Sequence, residues 1–325
     1  MSRAIRMLAQ PLADMTQAGR VCPADYSYSP SVFARAPDFA AETLYVVGGL
    51  YGNVAALTAL ETLAAKEHAQ PTLVFNGDFH WFDAEPDWFL EIAQGVAQYR
   101  ALRGNVETEI ARSADIGAGC GCAYPKTVGE DVVSRSNEIL LGLRAGMPPD
   151  TSARLRNLPM HLVAQVGDLR VGIVHGDAQA LAGWRFAWDF LDKPRRNQQW
   201  LADVRAASRM DAFACTHTCL AALRDFVFDS GRLTIINNGA AGMPNFPRTR
   251  FGVVTRIATS HSPHLPLYGL QRDGVHIDAI AVDYDQRAFL ERFLKRWQEG
   301  SPAHASYYRR IVEGPDYSLA RAAGP

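Results

Sequence analysis

Little in this sequence points to a membrane, a polyanion or a secreted scaffold. No apolar run approaches the roughly 20 residues that a membrane-spanning helix needs. The charges nearly cancel, with 33 Lys and Arg against 34 Asp and Glu and a formal net charge of −1, so no nucleic-acid surface is expected. Five cysteines in 325 residues are few and odd in number. A chain this long builds a core without disulfide staples, so a reducing, cytoplasmic setting is expected rather than a disulfide framework. The first residues, MSRAIRMLAQPLADMTQ, carry early arginines, but Gln10, Pro11 and Asp14 break the apolar stretch and a signal peptide is not expected. Internal repeats and low-complexity tracts are missing too.

What is present is an alternation of short apolar runs and amphipathic stretches. Leu44–Val47 ends in Gly48-Gly49 and reads as a buried strand. Asn53 opens a helix with Val54, Leu57, Leu60 and Leu63 on one face. A second strand, Thr72–Phe75, precedes Asn76-Gly77-Asp78. Pro86 starts a helix to about Gln98, and a third strand, Tyr99–Leu102, ends in Arg103-Gly104-Asn105. This rhythm predicts parallel strands with right-handed crossovers.

Helices are expected at Glu130–Leu143 and near Thr151–Asn157. From Met160 the pattern becomes strand-rich, starting with a hairpin about Gly167-Asp168. Loop and helix fill 176–210, further strands run to Val282, and a last helix, Asp285–Trp297, closes the fold. The organisation expected is an N-terminal arm (1–42), a main α/β domain (43–285) with insertions near 107–158 and 177–210, and a C-terminal helix and tail (286–325). A boundary near residue 150 is the alternative.

Four polar residues stand just past the ends of separate strands: Asp78, Asn105, His175 and His217. In open α/β sheets ligands gather beyond the carboxyl ends of strands, and these side chains mix hard oxygen with imidazole nitrogen, a set that suits Mn, Fe or Zn. For any one of them alone, a turn Asp or a satisfied structural His is the commoner explanation. Their order is more specific. Gly77-Asp78, Gly104-Asn105, His175-Gly176 and Thr216-His217-Thr218 resemble the motifs of the calcineurin-like metallophosphoesterases. Gly49-Leu50-Tyr51-Gly52-Asn53 resembles an altered form of that family's first motif, Asp-x-His-Gly-Asn. Asn237-Asn238-Gly239-Ala240 resembles the turn after its last His motif. The resemblance spans about 43–285.

The resemblance implies a β-sandwich core flanked by helices in αββα layers, and two metals bridged by Asp78. Asn105, His175 and His217 would complete one metal site. The other site is altered, because Gly49 and Tyr51 replace an Asp and a His, and Cys219 replaces the second His of the last motif. It keeps Asp78 and a candidate thiolate from Cys219. One firmly held divalent metal is therefore expected, acting on a small-molecule phosphate monoester or diester. A catalytically degenerate protein with a binding, regulatory or structural role is the alternative.

Other residues carry paired readings. His80 is a candidate to reach the altered site or handle a proton, against a His packed among aromatics. Glu107 is a general base or replacement ligand, against a carboxylate at a helix start. Tyr51 orients a phosphate or plugs the altered site. Arg195 and Arg196 grip a phosphate or mark a solvated helix start. Cys120-Gly121-Cys122 is a soft-metal or redox pair, against a tight loop burying two small thiols. Trp184, Trp188 and Trp200 read as core packing, with an aromatic wall or a homo-oligomer contact as alternatives.

Overall fold

The computed structural model describes residues 18–324. The first seventeen residues of the expected arm lie outside that range. Among the described residues twelve strands follow in chain order: β1 (Phe39–Ala40), β2 (Thr43–Val47), β3 (Thr72–Asn76), β4 (Arg100–Leu102), β5 (His161–Val166), β6 (Leu169–Val174), β7 (Ala212–Cys215), β8 (Ala222–Phe228), β9 (Gly231–Asn237), β10 (Gly252–Ala258), β11 (Tyr268–Arg272) and β12 (Val275–Val282). They form two six-stranded sheets, ordered β11-β12-β10-β2-β3-β4 and β1-β5-β6-β7-β9-β8. As the strand–helix rhythm predicts, β2, β3 and β4 are parallel neighbours.

Period-two alternation decides the layers. Leu44, Val46 and Val74 point one way and meet Val171, Ile173, Ala212 and Ala214 of the other sheet in a fully buried sandwich core. The residues between them, Tyr45, Val47, Leu73 and Phe75, point the other way and pack on Leu57, Leu60, Phe89 and Ile92 of two helices, Val54–Ala64 and Pro86–Val96. On the outer face of the second sheet, Phe213, Leu233 and Ile235 pack against Leu201 and Val204 of the helix Pro194–Ser208. Strands apolar on both faces thus give the αββα layering. Each fully buried Leu, Val, Ile or Phe contributes roughly 1.5–3 kcal/mol of burial.

Two expectations need correction. The chain after Asp285 is more than one closing helix: after Gln286–Arg296 come Pro302–Glu313 and Leu319–Ala323. Ser301 caps the middle one by accepting from the His304 N–H, and Pro302 occupies its first turn. That Ser-Pro start and the Gly314 stop were visible signals. A short helix, Asn105–Ile110, follows β4 directly, with Glu107 in its first turn. Finally, Cys120 and Cys122 are paired with each other, as the redox-pair reading has it, rather than standing as two separate buried thiols.

Candidate metal centre

The strand ends deliver the four polar side chains to one place. Asp78 follows β3, Asn105 opens the short helix after β4, His175 follows β6, and His217 follows β7. All four are at most 8 % exposed. The glycine before each oxygen ligand is required by crowding: a Cβ on Gly104 would collide with Asp78 Oδ1 and His175 Cε1, and one on Gly77 with the Gly104 backbone and His175 Nδ1.

His175 Nε2 lies 3.1 Å from Asn105 Oδ1, 3.2 Å from His217 Nδ1 and 3.4 Å from Asp78 Oδ2. The donor atoms of Asp78, His175 and His217 all lie within 4.8 Å of one another. The outer atoms fix which way each ligand faces. His175 Nδ1 sits 2.8 Å from the Asn76 carbonyl, and His217 Nε2 sits 2.9 Å from the Cys122 carbonyl. A carbonyl only accepts, so both outer nitrogens carry the proton and both inner nitrogens present lone pairs. Asn105 Nδ2 donates to the Cys120 carbonyl at 2.9 Å, which turns Oδ1 inward. Two nitrogens and two oxygens therefore converge with no proton of their own between them. Such a group needs a cation at its centre or a proton on one imidazole.

The electrostatics agree. Burial opposes a charged His175, but the Asp78 carboxylate, by charge and hydrogen bond, outweighs it and raises that imidazole above its ordinary value. Burial likewise opposes ionised Asp78, yet His175 and then His217 hold its carboxyl below the usual range. Burial and the neighbouring His175 push His217 down to about 4. Donor separations near 3.1–3.4 Å suit a small cation, because metal–ligand bonds of about 2.0–2.2 Å place adjacent donors at about that spacing.

The altered first motif sits beside this group. The Tyr51 ring occupies the space into which a side chain at Gly49 would extend, and its hydroxyl meets Cys219 Sγ at 2.6 Å. Burial raises the Cys219 thiol, more than Arg310 and the Tyr51 bond lower it. Tyr51 fills the position, as its plug reading has it. Thr216, where the motif has Gly, donates to the Gly239 carbonyl at 2.7 Å and accepts from the Gly49 N–H at 3.2 Å, bracing the filled region.

The remaining candidates are placed elsewhere. Glu107 is fully buried behind the site, and its two oxygens accept from the backbone N–H groups of Asp78, Phe79, His80 and Gly104 at 2.8–3.3 Å. Burial and the charge of Asp78 raise its pKa, but nothing gives it access to a reacting group. It clamps the Asp78 loop, so the general-base reading has no geometric support. His80 stacks on Phe89 at 3.7 Å and pairs with buried Asp83 at 3.0 Å, the aromatic-packed alternative. Arg195 and Arg196 are exposed at the start of the helix Pro194–Ser208 and do not line the cavity over the site.

That cavity has a volume of about 150 Å³. Asp78, Asn105 and His217 form its floor, and Trp81, Tyr124, Trp184 and Tyr307 are among its walls. Tyr51, Asp78 and Cys219, all on its lining, are non-glycine residues with φ of 54–58°. Strain of that kind collects at functional sites. Two surface grooves of about 810 and 830 Å³ are larger but lie away from these donors. Two lining residues, Tyr307 and Arg310, come from the helix Pro302–Glu313, which the sequence reading left in an unassigned tail.

The fold has known counterparts. A metallophosphoesterase from Sphaerobacter thermophilus superposes with a TM-score of 0.52 at 15 % identity, covering 84 % of this chain and 100 % of its own. The chain has the metallophosphoesterase fold. A hypothetical protein from Pyrococcus horikoshii matches with a TM-score of 0.57 at 17 % identity, over 85 % of this chain and 99 % of its own. No protein-family model and no curated protein matches the sequence.

Proposed function

We propose that the chain is a metal-dependent phosphoesterase built around a single divalent ion, hydrolysing a small phosphate ester. The observation that carries this reading is the convergence of Asp78, Asn105, His175 and His217 with lone pairs inward and protons outward. A mixed nitrogen–oxygen set of this kind suits Mn, Fe or Zn. A divalent ion held there supplies Lewis acidity toward a phosphoryl oxygen and toward water.

The chain's own residues do the rest. The Cys120 and Cys122 carbonyls hold Asn105 and His217 in their ligating orientation. Glu107 fixes the loop that carries Asp78. Trp81, Tyr124, Trp184 and Tyr307 restrict water and shape the entrance. A cavity of about 150 Å³ is below the ~300 Å³ usual for small-molecule pockets, so it encloses a phosphate and few further atoms.

The Tyr51 plug favours a second reading, a degenerate relative in which the metal is structural and closed off. Against it, three of the four donors face a cavity, which leaves open space on one side of the group. Hydrolysis of bis(p-nitrophenyl) phosphate with added Mn²⁺ decides between them. Metal-dependent turnover that falls at least ~10²-fold in Asp78→Ala is expected. Bound metal without turnover on this diester or on p-nitrophenyl phosphate would establish the structural role instead.

A further inference from the structure

Arg310 is a cation at the cavity with no carboxylate to balance it. Along the same helix Arg309 is paired with Glu313, but among the described residues Arg310 makes no ion pair. Its Nη2 donates to the Cys219 carbonyl at 2.6 Å, while Nε is buried and has no hydrogen-bond partner. A guanidinium held partly out of water with an unused N–H is costly unless something anionic completes it. Its planar fork matches two oxygens of one phosphate, which an ammonium does not.

Its position adds a second argument. Arg310 lines the same small cavity as Asp78, Asn105 and His217, and its one side-chain hydrogen bond among the described residues is to Cys219, the residue that meets the Tyr51 plug. It therefore stands on the side of the cavity where the altered motif leaves no metal ligands. Tyr51 and Cys219 fill that position, and among the described residues no second group of candidate metal donors stands there to neutralise a phosphate. The positive charge comes from the C-terminal helix instead.

We propose that Arg310 binds the phosphate of the substrate, in place of the positive charge that a second metal would bring. This rests on the phosphoesterase reading and specifies how that site recognises its substrate. It also moves the phosphate-gripping role from Arg195 and Arg196, which are exposed and outside the cavity, to a residue beyond the main motifs.

The test is isothermal titration of inorganic phosphate into the Mn²⁺-loaded full chain, for the unaltered protein, Arg310→Gln and Arg310→Lys, with metal content and melting temperature measured on each. Gln keeps a donor for the Cys219 carbonyl but removes the charge, and Lys keeps the charge but loses the fork. Expected are unchanged metal content and melting temperature, a phosphate Kd at least tenfold weaker in Arg310→Gln, and an intermediate loss in Arg310→Lys. Phosphate binding within twofold of the unaltered protein in a metal-loaded Arg310→Gln chain overturns the role of Arg310 alone. Failure of the unaltered chain to take up metal overturns the phosphoesterase reading, and the inference falls with it. A loss of phosphate affinity matched by an equal loss of folded protein in both variants assigns Arg310 to structure and overturns the proposal.

Discussion

At the scale of single residues, one pair fills the position beside the four converging side chains. Gly49 has no side chain, and the Tyr51 ring lies where one would go. The two positions are therefore coupled. Gly49→Ala in the unaltered chain forces its Cβ into the ring and is expected to cost about 1–3 kcal/mol. In a Tyr51→Ala background the same change no longer meets the ring and costs much less. Urea unfolding of the two single variants and the double variant should give a coupling energy of at least ~1 kcal/mol. Additive effects would mean that the ring does not occupy that position. The convergence of Asp78, Asn105, His175 and His217 was readable in the sequence because each follows an apolar strand run and their order is distinctive. For Glu107, His80, Arg195 and Arg196 the sequence left two readings open, because a side chain's direction depends on neighbours far along the chain. Glu107 faces four amide N–H groups rather than the cavity, and His80 faces Phe89, 9 positions on, rather than the metal donors.

At the scale of elements, the loop around Cys120-Gly121-Cys122 matters more than its cysteine content suggested. Its two carbonyls hold the outer atoms of Asn105 and His217, and the Cys122 carbonyl also accepts from Trp184 Nε1 at 2.9 Å. Gly121 sits at φ 64°, and a Cβ there would press on the Tyr26 hydroxyl and Glu109. Gly121→Ala is thus expected to shift both carbonyls and weaken metal binding about 10–100-fold, as outer-ligand changes do. Competition with a chelator measures this, and an unchanged affinity would show that the carbonyls do not position the ligands. The strands of the sandwich were legible from period-two and apolar runs, so β2–β3–β4 and the β5–β6 hairpin fall where the pattern puts them. The loop's contact with the site was not legible, because it is 15 to 95 residues from the side chains it orients.

At the scale of the whole molecule, residues from both sheets and from the C-terminal helix close on one cavity. Asp78 and Asn105 come from one sheet, His175 and His217 from the other, and Tyr307 and Arg310 from beyond both. The candidate metal centre is therefore a joint between the two layers, and occupation by a metal should stabilise the packed state by mass action. It should also carry a definite pH dependence. His217, held down to about 4, is already neutral near pH 7 and needs to lose no proton. His175 is raised above the ordinary value, so at pH below that raised value its inner nitrogen carries a proton that a metal must displace. Affinity should accordingly rise with pH until His175 is neutral in the free chain, then level off.

The most direct measurement is calorimetric titration of Mn²⁺ into metal-free protein between about pH 6 and pH 8. A single divalent ion per chain, bound more tightly as pH rises and lost in His175→Ala, is the predicted result. Two ions per chain would mean that the position filled by Tyr51 and Cys219 still takes metal. No binding at any pH would contradict the metal centre altogether.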